Sequence, residues 1–152
     1  MNNFIAFGLP FYGCGTVVKG FGRGSKDLGI PTANLCKEVI DQLPEQMIPG
    51  VYFGWAQVDK SPVYKMVMSI GWNPFFKNKE KSMEIHILNK FEEDFYGSKL
   101  KVIVTGYIRQ ELDFSSVDEL IQTINSDIDI AKTKLDDSTN QSYSNDKFFG
   151  LH

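Results

Sequence analysis

The apolar positions of this chain follow two periods, and the shorter one dominates. Apolar runs, some alternating and several rich in β-branched or aromatic side chains, predict strands at residues 16–19, 51–58, 63–70, 82–88 and 100–108. Clusters of glycine, proline and asparagine separate these runs, as at residues 44–50, 60–62 and 71–78. Many strands with few helices between them favour an antiparallel sheet or barrel over parallel βαβ units. The pattern therefore indicates a mainly β protein.

One segment follows the helical period instead. Apolar residues recur every three or four positions at Val117, Leu120, Ile121, Ile124, Ile128, Ala131 and Leu135. Ser116 with Glu119 is typical of a capping box at its start. We expect this helix to cover the core as a lid and to direct its charged residues largely outward, namely Asp127, Asp129, Lys132 and Lys134. The remaining tail, residues 136–152, is polar and expected to be mobile, with Phe148 and Phe149 as candidates to dock back onto the barrel.

Length and composition indicate one ordinary globular domain. The chain has 152 residues, of which 42% are hydrophobic and 23% charged, so residues 1–152 form a single domain with a core at about 12–135. The formal charge of −3 is uneven, because residues 1–110 carry 13 Lys and Arg against 10 Asp and Glu, and residues 111–146 carry 2 against 9. This distribution suits a small anionic ligand and not duplex nucleic acid, which requires a strongly basic face.

The cysteines and the N-terminal residues indicate the cellular compartment in which we expect the protein. Cys14 and Cys36 are too few for a disulfide scaffold, which favours a reducing environment. Residues 1–11 lack the basic segment and long apolar run of a secretory signal, and no apolar stretch has the length of a membrane span. We expect a monomer in the cytoplasm that binds no membrane, with an organelle address left open.

A glycine-rich stretch at residues 20–34 carries the first candidate chemistry. Its sequence is Gly-Phe-Gly-Arg-Gly-Ser-Lys-Asp-Leu-Gly-Ile-Pro-Thr-Ala-Asn. Gly20, Gly22 and Gly24 allow positive φ and close approach to a ligand, and Arg23 and Lys26 lie among them. Exposed N–H groups beside cations form a plausible cradle for an anion such as phosphate.

The end of the same stretch has the features of a metal site. Pro31 holds the chain extended, and residues two apart in an extended chain share a face, so Thr32 and Asn34 point the same way. A hydroxyl and an amide carbonyl are hard oxygen donors that suit Mg²⁺. The spacing thus predicts a phosphate-and-magnesium loop. A flexible glycine-rich turn followed by a Pro-Thr turn explains the spacing equally well.

Residues 82–88 contain the second candidate. The alternation places Met83, Ile85 and Ile87 on one face of a strand and four others on the opposite face: Ser82, Glu84, His86 and Leu88. Without further context, a half-buried strand with Glu84 and His86 solvated is the favoured interpretation.

Several enzyme and metal classes are excluded by missing motifs. The chain has no G-x-x-x-x-G-K-[ST] sequence, its glycines lack the G-x-G-x-x-G spacing, and no H-R-D or D-F-G is present. Its two histidines, His86 and His152, and two distant cysteines argue against a tetrahedral zinc site. P-loop enzymes, dinucleotide-binding domains and protein kinases are therefore set aside.

The glycine-rich stretch resembles the flavokinase (riboflavin kinase) family, whose hallmark is G-x-G-R-G followed by G-I-P-T-A-N. Five more blocks occur in the family's order: GVYFGW at 50–55, SIGWNP at 69–74, SMEIH at 82–86, DFYG at 94–97 and TGYIR at 105–109. The resemblance covers residues from about 16 to 135. It implies a six-stranded antiparallel β-barrel of Greek-key type with a C-terminal α-helix packed on it.

The resemblance also implies an activity. Members of the family transfer the γ-phosphoryl group of ATP to the 5′-hydroxyl of riboflavin, which yields FMN and ADP. This chain has no room for the adenylyltransferase domain often fused to bacterial members, so we expect a monofunctional kinase of the eukaryotic type. A non-catalytic flavin- or nucleotide-binding barrel is the alternative, and the joint presence of Thr32, Asn34 and Glu84 argues against it.

Residue roles follow by position from the resemblance. It implies that Glu84 is the catalytic base at the mouth of the barrel, with His86 a structural neighbour. It implies that Thr32 and Asn34 hold Mg²⁺, for which Zn²⁺ or Mn²⁺ could substitute. The residues implied for ATP are Gly20, Gly22, Gly24, Lys26, Ile87, Asn89 and Tyr96.

The flavin site is implied in the segment after the last predicted strand. The matching positions are Arg109, Leu112 and Phe114, since a guanidinium and an aromatic ring can hold a planar heterocycle. The alternatives are a salt bridge at the strand end for Arg109 and core packing beneath the helix for Phe114. Residues 20–29 and 72–78 resemble two flaps that close over the ligands, and we expect both to be mobile without them.

Overall fold

The computed structural model describes residues 9–18, 33–72, 81–89, 97–112 and 114–150. Its strands are β1 (Phe11–Val18), β2 (Ala33–Leu35), β3 (Gly50–Val58), β4 (Tyr64–Trp72), β5 (Lys81–Ile87) and β6 (Lys99–Arg109). Its helices are α1 (Lys37–Ile40), α2 (Val117–Leu135) and α3 (Ser138–Gln141), followed by 3₁₀ turns at Ser142–Asn145 and Lys147–Phe149. All five strands predicted from the apolar pattern are present. The first begins at Phe11, earlier than predicted, and the three-residue β2 was not predicted.

The six strands close into an antiparallel barrel in the order β1-β2-β5-β4-β3-β6. Consecutive strands β3, β4 and β5 are neighbours, and β6 returns to lie beside β3. Three neighbouring strands with a fourth returning beside the first form a Greek key. The expected mainly β fold, a six-stranded antiparallel barrel with a C-terminal helix, is confirmed.

Alternation along the strands separates an inner core from an outer face. The inner face of β4 and β5 is at most 5% exposed. It consists of Met66, Met68 and Ile70 on β4 and of Met83, Ile85 and Ile87 on β5. Because strand side chains alternate, the residues between them point to the outer face. This alternation decides which polar side chains can meet a ligand.

Part of the outer face of β3 and β6 is covered by the C-terminal segments of the chain. Phe53, Trp55 and Ile103 pack there with Ala131 and Leu135 of α2 and with Phe149 of the tail, and these six residues are called the outer cluster. All residues of β3 are consequently buried. No helix among the described residues has the length and apolar character needed to cross a membrane.

Helix α2 begins at the expected cap, because the Ser116 hydroxyl accepts a hydrogen bond from the Glu119 N–H at 3.1 Å. The Glu119 carboxylate accepts from the Ser115 hydroxyl at 2.7 Å. The expectation that Asp127 points outward is wrong, since this residue is 4% exposed. Its carboxylate pairs with Arg109 beneath the helix.

The tail lies against the barrel. The Trp55 indole N–H donates to the Asn140 carbonyl at 2.9 Å, and the Lys101 ammonium donates to the Phe148 carbonyl at 3.2 Å. Phe149 is 3% exposed. The docking of Phe148 and Phe149 is therefore confirmed, while the mobility of residues 136–152 stays a prediction.

Candidate active site

The register of the barrel brings three of the predicted site residues onto one line. Asn34 of β2 is opposite Glu84 of β5, Glu84 is opposite Ser69 of β4, Ser69 is opposite Val51 of β3, and Val51 is opposite Arg109 of β6. Directly opposed residues of antiparallel strands point to the same face, with Cβ atoms about 4.5–5.5 Å apart. We call these five residues the outer row. It joins the predicted metal ligand, base and flavin residue on one face of the wall.

Glu84 lies in the middle of β5 and not at the end of a strand. Met83 and Ile85 on either side of it are 1% exposed inside the barrel, so the carboxylate lies on the outer face, half-buried. The location of Glu84 at the mouth of the barrel stays a prediction. Its cross-strand neighbours are Asn34 on β2 and Ser69 on β4.

His86 lies on the same face as Glu84, two residues further along β5 and opposite Val67. It is half-buried, and burial lowers the pKa of its imidazole because desolvation disfavours the charged form. A neutral imidazole beside the outer row adds no positive charge to it. This placement agrees with a structural neighbour of the site.

Asn34 owes its orientation to the residue before it. Ala33 is 2% exposed and opposite the buried Ile85, so the next side chain must point outward toward Glu84. An amide carbonyl beside a carboxylate offers hard oxygen atoms that fit Mg²⁺, which needs few protein ligands when water and phosphate supply the rest. Across the described ranges, no three His, Cys, Asp or Glu side chains gather as a metal-binding group.

Arg109 is held by α2. Its Nε and Nη2 groups donate to the two carboxylate oxygens of Asp127 at 2.9 and 2.8 Å, and Nη1 donates to the Gln110 carbonyl at 3.0 Å. The guanidinium carbon is 6.0 Å from the centre of the Phe114 ring. Both expectations for Arg109 thus have a structural counterpart, since it forms a salt bridge at the strand end and also approaches an aromatic ring.

The other predicted ligand residues divide into three groups. Leu112 is 49% exposed and Phe114 is half-buried, so both present surface near the end of β6. Ile87 packs inside the barrel at 5% exposure, which leaves only its backbone for a nucleotide, whereas Asn89 is exposed. The third group lies outside the described residues and comprises Gly20, Gly22, Gly24, Lys26, Thr32 and Tyr96. The two flap segments, 20–29 and 72–78, also lie outside them, except for Trp72.

Two residues of this region were not predicted as site residues from the sequence. Ser69 lies beside Glu84 only through cross-strand register, which no local pattern reports. Asp127 offered a signal, because it falls three residues after Ile124 and four before Ala131, within the apolar stripe of the helix. A charged residue on a packed stripe usually has a buried partner.

Comparison with known proteins identifies the family. The Flavokinase family model, described as riboflavin kinase, matches residues 7–135. Riboflavin kinase from Mus musculus is 52% identical over 141 residues, which cover 93% of this chain and 91% of that protein. Riboflavin kinase from Homo sapiens is 51% identical over 141 residues, with the same two coverages.

A solved structure agrees with the sequence comparisons. The crystal structure of riboflavin kinase from Trypanosoma brucei superimposes with a TM-score of 0.76 at 32% identity, covering 93% of this chain and 90% of that one. The chain therefore belongs to the riboflavin kinase family.

Proposed function

We propose that the outer row is the active site of an enzyme that phosphorylates riboflavin with ATP to give FMN and ADP. The observation that carries this proposal is the cross-strand pairing of Asn34 with Glu84, with Arg109 further along the same face. At one end of the row, the side-chain oxygens of Asn34 and Glu84 could bind a metal ion that carries the phosphate. At the other end, Arg109 offers a planar cation. Membership of the family supports the choice of substrates.

Glu84 is the group that acts on the attacking hydroxyl. A primary alcohol is a weak acid, and phosphoryl transfer depends mainly on in-line positioning and charge neutralisation. The carboxylate accepts a hydrogen bond from the 5′-hydroxyl, orients its oxygen toward the γ-phosphorus and takes the proton late in the transfer. Its half-buried position between two paired strands supports this role, because the backbone that carries it is hydrogen-bonded on both sides.

Asn34 serves the phosphate end of the row. Together with Thr32, its side-chain oxygen would hold a divalent cation, for which Mg²⁺ is our assignment and Mn²⁺ or Zn²⁺ are substitutes. When bound, such a cation neutralises the charge that develops on the phosphate oxygens. The pairing of Asn34 with Glu84 on adjacent strands supports a metal site next to the base.

The flavin end lies three strands from Glu84, at Arg109. The guanidinium of Arg109, the ring of Phe114 and the exposed Leu112 offer flat and apolar surfaces for the isoalloxazine ring. The ribityl chain would then extend along the wall past Ser69 toward Glu84.

We place the enzyme in the cytoplasm, because Cys14 and Cys36 are both free thiols.

The decisive experiment is the Glu84→Gln variant, which keeps the size and a polar tip but cannot accept a proton. We expect single-turnover FMN formation to fall by about 10²–10⁴-fold, the usual effect of losing a positioned base. Riboflavin binding, followed by flavin fluorescence, should stay unchanged. The matched control is Glu45→Gln, an exposed glutamate in the loop before β3. Parent-like turnover by Glu84→Gln would refute the assigned base, and riboflavin binding without phosphorylation by the parent would favour a binding barrel.

A further inference from the structure

A buried carboxylate on α2 has a place in the site but no role in the chemistry described above. Asp127 is 4% exposed, and a carboxylate is costly to bury unless a cation and hydrogen bonds compensate it. Arg109 supplies both through two bonds of 2.9 and 2.8 Å. Asp127 is therefore tied to a residue of the outer row and not to the packing of the helix alone.

The geometry of this pair determines the plane of the guanidinium. Two parallel N–H···O bonds prevent rotation of the fork about its own axis, and a third bond from Nη1 to the Gln110 carbonyl holds the opposite side. Three of the five N–H groups of an arginine are thereby committed. What remains for a ligand is mainly the flat face of the guanidinium and two N–H groups at its edge.

The pair also alters the charge that a ligand meets. An unpaired arginine attracts any phosphate nearby, including those of ATP and FMN. A carboxylate bonded to two of its nitrogens cancels most of that attraction and leaves a planar surface near the Phe114 ring, 6.0 Å away. Such a surface suits an uncharged planar ring better than an anion.

We propose that Asp127 is a positioning residue for riboflavin recognition, because it holds the guanidinium of Arg109 flat and neutralised against the isoalloxazine ring. The inference rests on the proposed function. It adds a residue on α2 to a site otherwise formed by the barrel wall and the segment after β6. Helix α2 thus contributes to substrate recognition as well as to packing.

The test begins with Asp127→Asn, which keeps the shape but loses the charge and one acceptor. We expect the KM for riboflavin to rise by about 10- to 100-fold, as when a residue that orients a metal ligand is removed. The KM for ATP and kcat should change less than about twofold, since the variant leaves Asn34 and Glu84 untouched. Asp129→Asn, an exposed position on the same helix, is the matched control and should behave like the parent.

A double-mutant cycle separates positioning from a merely structural role. In an Arg109→Met background, Asp127→Asn should raise the riboflavin KM no further, because Asp127 acts only through Arg109. If Asp127→Asn raised the riboflavin KM by the same factor in the Arg109→Met background as in the parent, the inference would be overturned. A uniform loss of kcat and of affinity for both substrates would also overturn it, since that pattern indicates a damaged fold.

Arg109→Lys provides a second test that does not depend on the folding of the Asp127 variant. Lysine keeps the positive charge but presents a compact ammonium without a planar fork. We expect its riboflavin affinity to be as low as that of Arg109→Met, and parent-like affinity would refute the role of the oriented plane. Riboflavin binding is measured by fluorescence without ATP. Failure of the parent to form FMN would count against the proposed function, whereas equal riboflavin affinities of parent and Asp127→Asn would count against this inference alone.

Discussion

At the scale of single residues, burial favours the neutral form of His86, which lies beside the site. His86 stands on the outer face near Glu84, and burial lowers its pKa. In the unfolded chain an exposed histidine titrates near pH ~6.5. Folding therefore favours the neutral imidazole, and the free energy of unfolding depends on pH through this residue.

The sign of this dependence gives a prediction. Because the folded pKa lies below the unfolded one, the contribution of His86 to stability is present above about pH 6.5. It is lost as the pH falls through the folded pKa, since the unfolded chain binds the proton more tightly. Urea unfolding at several pH values below neutrality should show a steeper loss for the parent than for His86→Gln. His152 remains in both proteins as an internal control, and identical pH slopes would contradict the prediction.

At the scale of elements, the pairing of β3 with β6 depends on two glycines. The register between these strands shifts between Val51 and Tyr52 and again between Phe53 and Gly54. A Cβ atom at Gly54 would collide with the Ile103 carbonyl oxygen, and one at Gly106 would collide with the Phe53 ring. Gly54 therefore allows close approach of the two backbones, and Gly106 leaves room for the Phe53 ring.

We predict that Gly54→Ala lowers the free energy of unfolding by about 3 kcal/mol, toward the upper end of overpacking effects. The clash is with backbone inside a closed barrel, which has little freedom to move. Equilibrium denaturation in urea provides the measurement. Gly97→Ala is the comparison, because its Cβ meets no atom within 4 Å and only its φ of 84° is unfavourable. Equal losses for the two variants would show that steric contact is not the cause.

At the scale of the whole molecule, the outer cluster joins parts of the chain that are distant in sequence. Trp55 and Ile103 belong to the barrel, Leu135 to α2 and Phe149 to the tail. The Trp55 indole bond to the Asn140 carbonyl and the Lys101 bond to the Phe148 carbonyl hold the tail along this surface. Helix and tail together shield β3 on its outer side.

We predict that Phe149→Ala lowers the free energy of unfolding by about 3 kcal/mol, as for other buried aromatic truncations. Phe149 is 3% exposed, so its removal leaves a cavity against Trp55 and Ile103. Urea denaturation measures the loss, and the exposed Lys147→Ala serves as control. A loss below about 0.5 kcal/mol, the range of ordinary surface substitutions, would mean that the tail is mobile in solution, as its polar sequence predicts.

The amino-acid sequence by itself determined the strands with a clear period, the long helix with its Ser116 cap, and the residue types that chemistry requires. The period of a strand reports which side chains share a face, which is why the opposite orientations of Glu84 and Ile85 were predictable. Motif order pointed to the family, and the comparisons confirmed it. None of these signals depends on contacts between distant segments.

Only the tertiary structure decided which faces meet. The three residues of β2 are too few for a period, and Asn34 becomes a neighbour of Glu84 because barrel closure sets the register between β2 and β5. The outward orientation expected of Asp127 was wrong because a half-buried cation, Arg109, compensates the cost of burying its charge. Local patterns encode the face of a residue, whereas its partner is chosen by closure of the barrel and packing of the helix upon it.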